Sequence, residues 1–280
     1  MEWFEAVILG LVQGLTEFLP VSSSGHLEIG KELLGVQATD DLMFTTMVHA
    51  ATVLSTVVVF RKQIWDLLKG FFGGLSGIKV RGGALVCNDQ TDYVLKIVVS
   101  MVPILIVGLF FKDQVESMFG SITVVGYALV LTALLLFFSD FASRRTGGSK
   151  ASSKEYRNGV SYWQAFVIGI SQAFAVVPGL SRSGTTISTG LICGVKRSAM
   201  AQFSFLMVLV PILGESFLEL LKGEFSSSSV GALPLALGFV SAFLSGLFAC
   251  RVMIALVKKA RLSWFAIYCL LAAAAIFIFA

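Results

Sequence analysis

Apolar positions along this chain come in long blocks. Six of them approach the roughly 20 residues that an α-helix needs to cross a bilayer: residues 42–60, 93–111, 122–139, 200–221, 233–256 and 264–280. Two further apolar stretches, residues 4–34 and 162–195, are different in kind. Each starts as an apolar helix, is interrupted by proline, serine and glycine, and resumes as a second short apolar piece. Broken backbone at membrane depth survives where it lines a polar cavity or is buried in protein. These two stretches therefore predict re-entrant helical hairpins and not spans.

The interrupted stretches are copies of one another. At an offset of 159 positions, the separation of Ser22 from Ser181, Ala6 matches Ala165, Gly10 matches Gly169, Gln13 matches Gln172, Ser24 matches Ser183 and Gly25 matches Gly184. Only the prolines, Pro20 and Pro178, miss by one position, and the same offset pairs Phe44 with Phe203 and Leu54 with Leu213. Three spans lie between the copies, an odd number, so the copies have opposite orientation, and inverted repeats of this kind meet near the bilayer midplane. The expected architecture is an all-α polytopic membrane protein with an inverted-topology repeat, six transmembrane helices plus two re-entrant helical hairpins. It forms a single membrane domain over 1–280: repeat one at about 1–142, a Ser/Gly-rich cytoplasmic linker at about 143–159, and repeat two at about 160–280. The serine run at 226–229 reads as a second, external linker.

Composition agrees with this class: 56% hydrophobic and 14% charged residues exclude a soluble globular domain. The net charge of +4 has a topological meaning. Connections 61–92 and 140–161 hold five Lys or Arg each, and Lys258, Lys259 and Arg261 precede the last span, whereas connections 112–121 and 222–234 hold one lysine each. The positive-inside rule puts the basic connections in the cytoplasm and both termini outside. No nucleic-acid motif is present, and nucleic acid is not expected as a partner. Cys87, Cys193, Cys250 and Cys269 have no zinc or disulfide spacing and read as free, lipid-facing or packing residues. The N-terminal stretch has no basic n-region, and Glu5, Gln13 and Glu17 interrupt it, so it is expected to be retained.

Chemistry concentrates in the hairpins. An acid at membrane depth is a functional candidate by default, and Glu17 is such an acid. Gln13 lies one turn earlier on the same helix face, and together the two offer oxygen ligands to a hard divalent cation, Mg²⁺ or Ca²⁺. Ser22, Ser23, Ser24, Gly25 and His26 stand where the second helical piece starts, a place where serine caps and free N–H groups attract phosphate. The second copy has Ser181, Arg182, Ser183, Gly184 and Thr185 at its helix start, and Arg182 is a permanently charged fork that matches an oxyanion. At the 159 offset Glu17 falls on Val176, His26 on Thr185 and Arg182 on Ser23. The scaffold is duplicated while the chemistry is divided, as one asymmetric site requires. Glu5, Glu28 and Glu32 read as solvated, His49 as a packing histidine within a span, and Glu215 with Glu219 as a weak candidate for an outer vestibule.

At residues 14–27, Gly-Leu-Thr-Glu-Phe-Leu-Pro-Val-Ser-Ser-Ser-Gly-His-Leu, and 178–188, Pro-Gly-Leu-Ser-Arg-Ser-Gly-Thr-Thr-Ile-Ser, the chain resembles the undecaprenyl-diphosphate phosphatase family, also called the bacitracin-resistance protein family. The resemblance extends to residues 203–206 and to length and span order. It implies a metal-dependent phosphatase of the bacterial inner membrane that removes the terminal phosphate of a long polyprenyl diphosphate, recycles the lipid carrier for cell-wall precursors and confers bacitracin resistance. It also implies a site open to the outer face. By resemblance Glu17 is the acidic site residue, His26 and Ser23 are candidate nucleophile or acid/base groups, and Arg182 is the phosphate clamp. Many relatives carry a second Glu where this chain has Gln13, whose carbonyl can still ligate, with less charge. The nucleophile stays open between His26, Ser23 activated by His26, and water. The substrate is a polyprenyl diphosphate lipid in the bilayer, and a homodimer is allowed. A transporter or flippase of polyprenyl phosphate lipids is the alternative, since inverted repeats with broken helices also build transporters. An acid-phosphatase type of site is weakly suggested by Ser24-Gly25-His26, without a second His and downstream Asp at the needed spacing.

Overall fold

Eleven α-helices organise the computed structural model, which describes residues 1–36, 41–74, 77, 79–81, 84–118, 121–145, 157–221, 230–259 and 261–279. Most of the expected linker at 143–159, the serine run at 226–229 and the side chains of Glu215 and Glu219 lie outside the described residues. The helices are α1 (Trp3–Thr16), α2 (Ser23–Leu34), α3 (Asp41–Gly74), α4 (Asp89–Phe110), α5 (Lys112–Glu116), α6 (Ile122–Arg145), α7 (Tyr162–Phe174), α8 (Arg182–Ile192), α9 (Arg197–Leu221), α10 (Ala232–Lys259) and α11 (Ser263–Phe279). Five of them, α3, α4, α6, α9 and α10, are long and apolar enough to cross a membrane, and α11 is a shorter apolar helix. This is a multi-pass membrane protein.

Two features depart from the expected pattern. Residues 61–74, read as the start of a basic connection, continue α3 without a break. At 1.5 Å per residue its 34 residues reach about 50 Å, well beyond a hydrocarbon core, so Arg61, Lys62 and Lys69 extend the helix past the apolar block. A short antiparallel hairpin then pairs Lys79–Arg81 with Ala84–Val86, a small exception to an all-helical chain.

Local chemistry sets the helix ends that matter for the site. Glu2 and Glu5 form a capping box on α1, and Ser161 and Gln164 form one on α7. Ser22 and Ser181 cap α2 and α8 by accepting from the N–H groups of Gly25 and Gly184. The helix breaks are thus made twice by the same device. Ser22 occupies a positive φ of 72°, a conformation that costs a non-glycine residue about 1–3 kcal/mol and concentrates at functional sites.

Packing follows the duplication with partners exchanged. The first helix of each half lies against a long helix of the other half, α1 on α10 and α7 on α4. Small residues allow this: a side chain at Gly10 would run into the Gly238 carbonyl, and one at Gly169 into the Ser100 carbonyl. Hydroxyls fasten the seams, with Ser241 donating to the Val7 carbonyl and Ser55 to the Phe243 carbonyl, both over 2.8 Å. Close approach of small residues with interhelical hydrogen bonds is how helices associate where lipid removes the hydrophobic drive. Leu105, Leu109, Tyr127, Leu134, Leu244 and Phe248 remain exposed on the spanning helices, the surface a bilayer covers. None of the four cysteines is in a disulfide; Cys87, Cys250 and Cys269 are buried, so they pack and do not face lipid, and Cys193 is half-buried.

Candidate active site

The two broken loops clasp each other. Gly25 sits against Gly179, and its repeat counterpart Gly184 sits against Pro20, the counterpart of Gly179. Ser24 Oγ accepts from the Gly179 N–H at 3.3 Å, while Ser183 Oγ, at the position matching Ser24, donates to the Leu19 carbonyl at 3.1 Å. Within each loop the paired serines also meet, Ser22 with Ser24 at 3.4 Å and Ser181 with Ser183 at 3.3 Å. This reciprocity brings the starts of α2 and α8 together. In each helix the first-turn N–H groups lack intrahelical acceptors, and both dipoles direct positive potential to the same place.

Beside the clasp is a narrow cavity of about 30 Å³, lined on its polar side by Glu17, Arg182, Ser183, Thr52, Thr56 and Ser204 and closed by Phe18, Phe205 and other apolar side chains. Glu17, just past the end of α1, is the acceptor at the centre: Gln13 Nε2 donates to its Oε2 over 2.8 Å and Ser23 Oγ over 2.5 Å. Arg182 lies within electrostatic reach of Glu17 but has no ion-pair partner among the described residues, which leaves its guanidinium free for an anion. Thr186 holds the turn beneath it, donating to the Arg182 carbonyl at 2.8 Å and meeting Ser204 at 2.7 Å.

The structure therefore brings together Glu17, Gln13, Ser23, Arg182 and Ser183. Ser22, Ser24, Gly25, Ser181 and Gly184 build the surrounding loops, and Thr185 is buried with an unpartnered hydroxyl. His26 is placed differently from the expectation that it serves Ser23. Its Nδ1 contacts the Ser22 carbonyl at 2.7 Å and must carry the proton there; its Nε2 meets the Tyr268 hydroxyl, also at 2.7 Å. The two rings stack at 11°. Glu17, not His26, is the side chain that accepts from Ser23.

The imidazole near Glu17 is His49, read from sequence as a packing residue. Its Nε2 stands 3.9 Å from Glu17 Oε2. A signal was available, since His49, Thr52 and Thr56 follow helical spacing and put a polar stripe on one face of an apolar helix. Of the acids read as solvated, Glu5 caps α1, Glu28 pairs with Lys31 at 3.0 Å, and Glu32 is exposed.

Gln13 and Glu17 fit a hard cation on their own chemistry. Gln13 is fully buried, its amide N–H is committed to Glu17, and its Oε1 is a buried acceptor without a partner. A buried carbonyl oxygen left over beside a carboxylate suits an oxygen-seeking divalent ion. Taken together, a carboxylate-bound hydroxyl, a free guanidinium and two helix starts can bind a phosphoryl group and attack it.

A family profile described as "Bacitracin resistance protein BacA" matches residues 6–275. Proteins named undecaprenyl-diphosphatase are similar over nearly the full length. One from Bacteroides fragilis is 50% identical over 273 residues, 96% of this chain and 95% of its own. One from Parabacteroides distasonis is 51% identical over 97% and 96% of the two chains. One from Christiangramia forsetii is 48% identical over 100% and 99%.

Proposed function

The chain belongs to the bacitracin resistance protein BacA family, and from that premise we propose that it hydrolyses undecaprenyl diphosphate to undecaprenyl phosphate and inorganic phosphate. This activity recycles the lipid carrier of cell-wall synthesis and confers bacitracin resistance. The observation that carries the mechanism is the 2.5 Å hydrogen bond from Ser23 to Glu17 in the cavity that Arg182 lines. Ser23 Oγ attacks the terminal phosphorus as its proton passes to Glu17, and the bond to the bridging oxygen breaks. Water then attacks the phosphoserine, giving phosphate and restoring the serine. Arg182 and the first-turn N–H groups of α2 and α8 hold the phosphoryl oxygens, where preorganised charge is worth most. His26, one turn beyond Ser23, keeps its Nδ1 proton on the Ser22 carbonyl and its Nε2 on the Tyr268 hydroxyl and so fixes the loop that carries Ser23, while the prenyl phosphate leaves as an anion neutralised by Arg182 and needs no proton from the ring. Glu17 and the Gln13 carbonyl would hold a divalent cation, Mg²⁺ or Ca²⁺, which neutralises diphosphate charge when bound.

The topology we infer is six spans and two re-entrant hairpins in two inverted repeats, about 1–142 and about 160–280. The exchanged packing of α1 on α10 and α7 on α4 and the reciprocal clasp support it. With the basic connections in the cytoplasm of a bacterial inner membrane, the site opens to the outer face. Purified Arg182→Ala, assayed for phosphate release from undecaprenyl diphosphate in detergent, is expected to lose about 10²–10³ in kcat, the loss typical of removing one transition-state charge stabiliser. Full retained activity would sink the reading. Lipid transfer across vesicles without phosphate release would favour a flippase.

A further inference from the structure

His49 and Glu17 stand close to each other without a direct hydrogen bond. His49 Nδ1 is 2.8 Å from the Thr45 carbonyl, an oxygen that only accepts, so Nδ1 carries a proton and Nε2 is the nitrogen whose lone pair the ring can offer to a cation. That nitrogen stands 3.9 Å from Glu17 Oε2. The separation exceeds the roughly 2.7–3.2 Å of a direct hydrogen bond. Two donors that each sit about 2.1 Å from one ion, however, stand at most about 4.2 Å apart. A third donor waits nearby: Gln13 Oε1 is buried and unpartnered, on a side chain already bonded to Glu17.

We propose that His49 is a ligand, through Nε2, to the cation held at Glu17, giving a mixed nitrogen and oxygen donor set that favours a first-row transition-metal ion over Ca²⁺. This rests on the reading above that a cation binds at Glu17 and Gln13. Imidazole suits first-row ions, whereas Ca²⁺ takes six to eight oxygens, so one ring nitrogen in a small donor set shifts the preference. Thr45 orients the ring through its hydrogen bond, the usual arrangement by which the second nitrogen of a ligating histidine is fixed.

Mn²⁺ is the probe, because it accepts both donor types and its electron spin reports nitrogen nuclei bound to it. The chain has two histidines, so a full-length protein without a histidine tag contains only His26 and His49 as imidazole sources. Mn²⁺ with methylenediphosphonate, a diphosphate that cannot be hydrolysed, is added to protein in detergent, and electron spin-echo modulation is recorded. An imidazole ¹⁴N pattern that converts to ¹⁵N on labelling histidine is expected in the wild-type chain and in His26→Gln. It should vanish in His49→Gln, with Mn²⁺ binding weakened about tenfold or more and Ca²⁺ binding changed little. The labelled wild-type chain gives a result even where a variant does not fold. Mn²⁺ bound in a Glu17-dependent manner without a histidine nitrogen overturns the role of His49 and leaves a cation at Glu17 standing. A nitrogen signal lost in His26→Gln instead overturns the assignment, and no bound Mn²⁺ overturns both.

Discussion

Ser23 donates to the Glu17 carboxylate across 2.5 Å, a bond that bridges the break between α1 and α2. Groups that act as one unit give strongly non-additive losses when removed. Ser23→Ala and Glu17→Ala should each lower kcat for phosphate release by about 10² or more, on the scale of a lost nucleophile or base, and the double variant should be no worse than the weaker single. Multiplying losses would show that the two act separately.

Tyr268→Phe removes the hydroxyl that meets His26 Nε2 at 2.7 Å and keeps the stacked ring. One hydrogen bond contributes about 0.5–1.5 kcal/mol, so kcat should fall roughly 2- to 10-fold with KM nearly constant. The ¹⁵N resonances of the His26 ring should show the Nε2 environment altered and Nδ1 still protonated. Unchanged resonances would remove Tyr268 from the site.

Gly10→Ala and Gly169→Ala place a methyl against the backbone carbonyls of Gly238 and Ser100. Overpacking of this kind destabilises by about 1–3 kcal/mol, read as earlier thermal unfolding in detergent. Gly108→Ala, on α4 with open space around it, is the control and should unfold no earlier, since alanine is the better helix former.

At the base of α4, buried Lys96 pairs with buried Asp92 at 2.6 Å, and Tyr162 and Asn158 also donate to that carboxylate. Asp92→Ala strips the ammonium of this carboxylate and should destabilise by about 3–5 kcal/mol, whereas Asp92→Leu combined with Lys96→Met should recover much of it. Thermal unfolding of the three proteins decides this.

The meeting of the two loops is legible in the sequence, because serine, glycine and proline at a membrane-buried helix break leave few physical alternatives. The 159 offset placed Arg182 opposite the loop of Ser23, and the two loops do meet. Tyr268 was invisible, since it lies 242 positions from His26 and carries no local pattern. His49 had a pattern in Thr52 and Thr56, yet a histidine on an apolar helix is usually a packing residue, and only the nearness of Glu17 changes that. The end of α3 was misplaced for another reason. The uninterrupted apolar block stops at Phe60, but helical hydrogen bonds continue wherever the backbone favours them, in lipid or in water.

The exchanged packing has a consequence for how the protein is made. When α7 leaves the ribosome, α4 has already been synthesised and is waiting for it. The main cover for the small-residue face of α1 is α10, which begins at Ala232, so that face has no permanent partner until most of the chain exists. An early helix is thus paired with one of the last to be made. During that interval its glycines Gly10 and Gly14 are left to lipid or to the insertion machinery, while Glu17 already has Gln13 and Ser23.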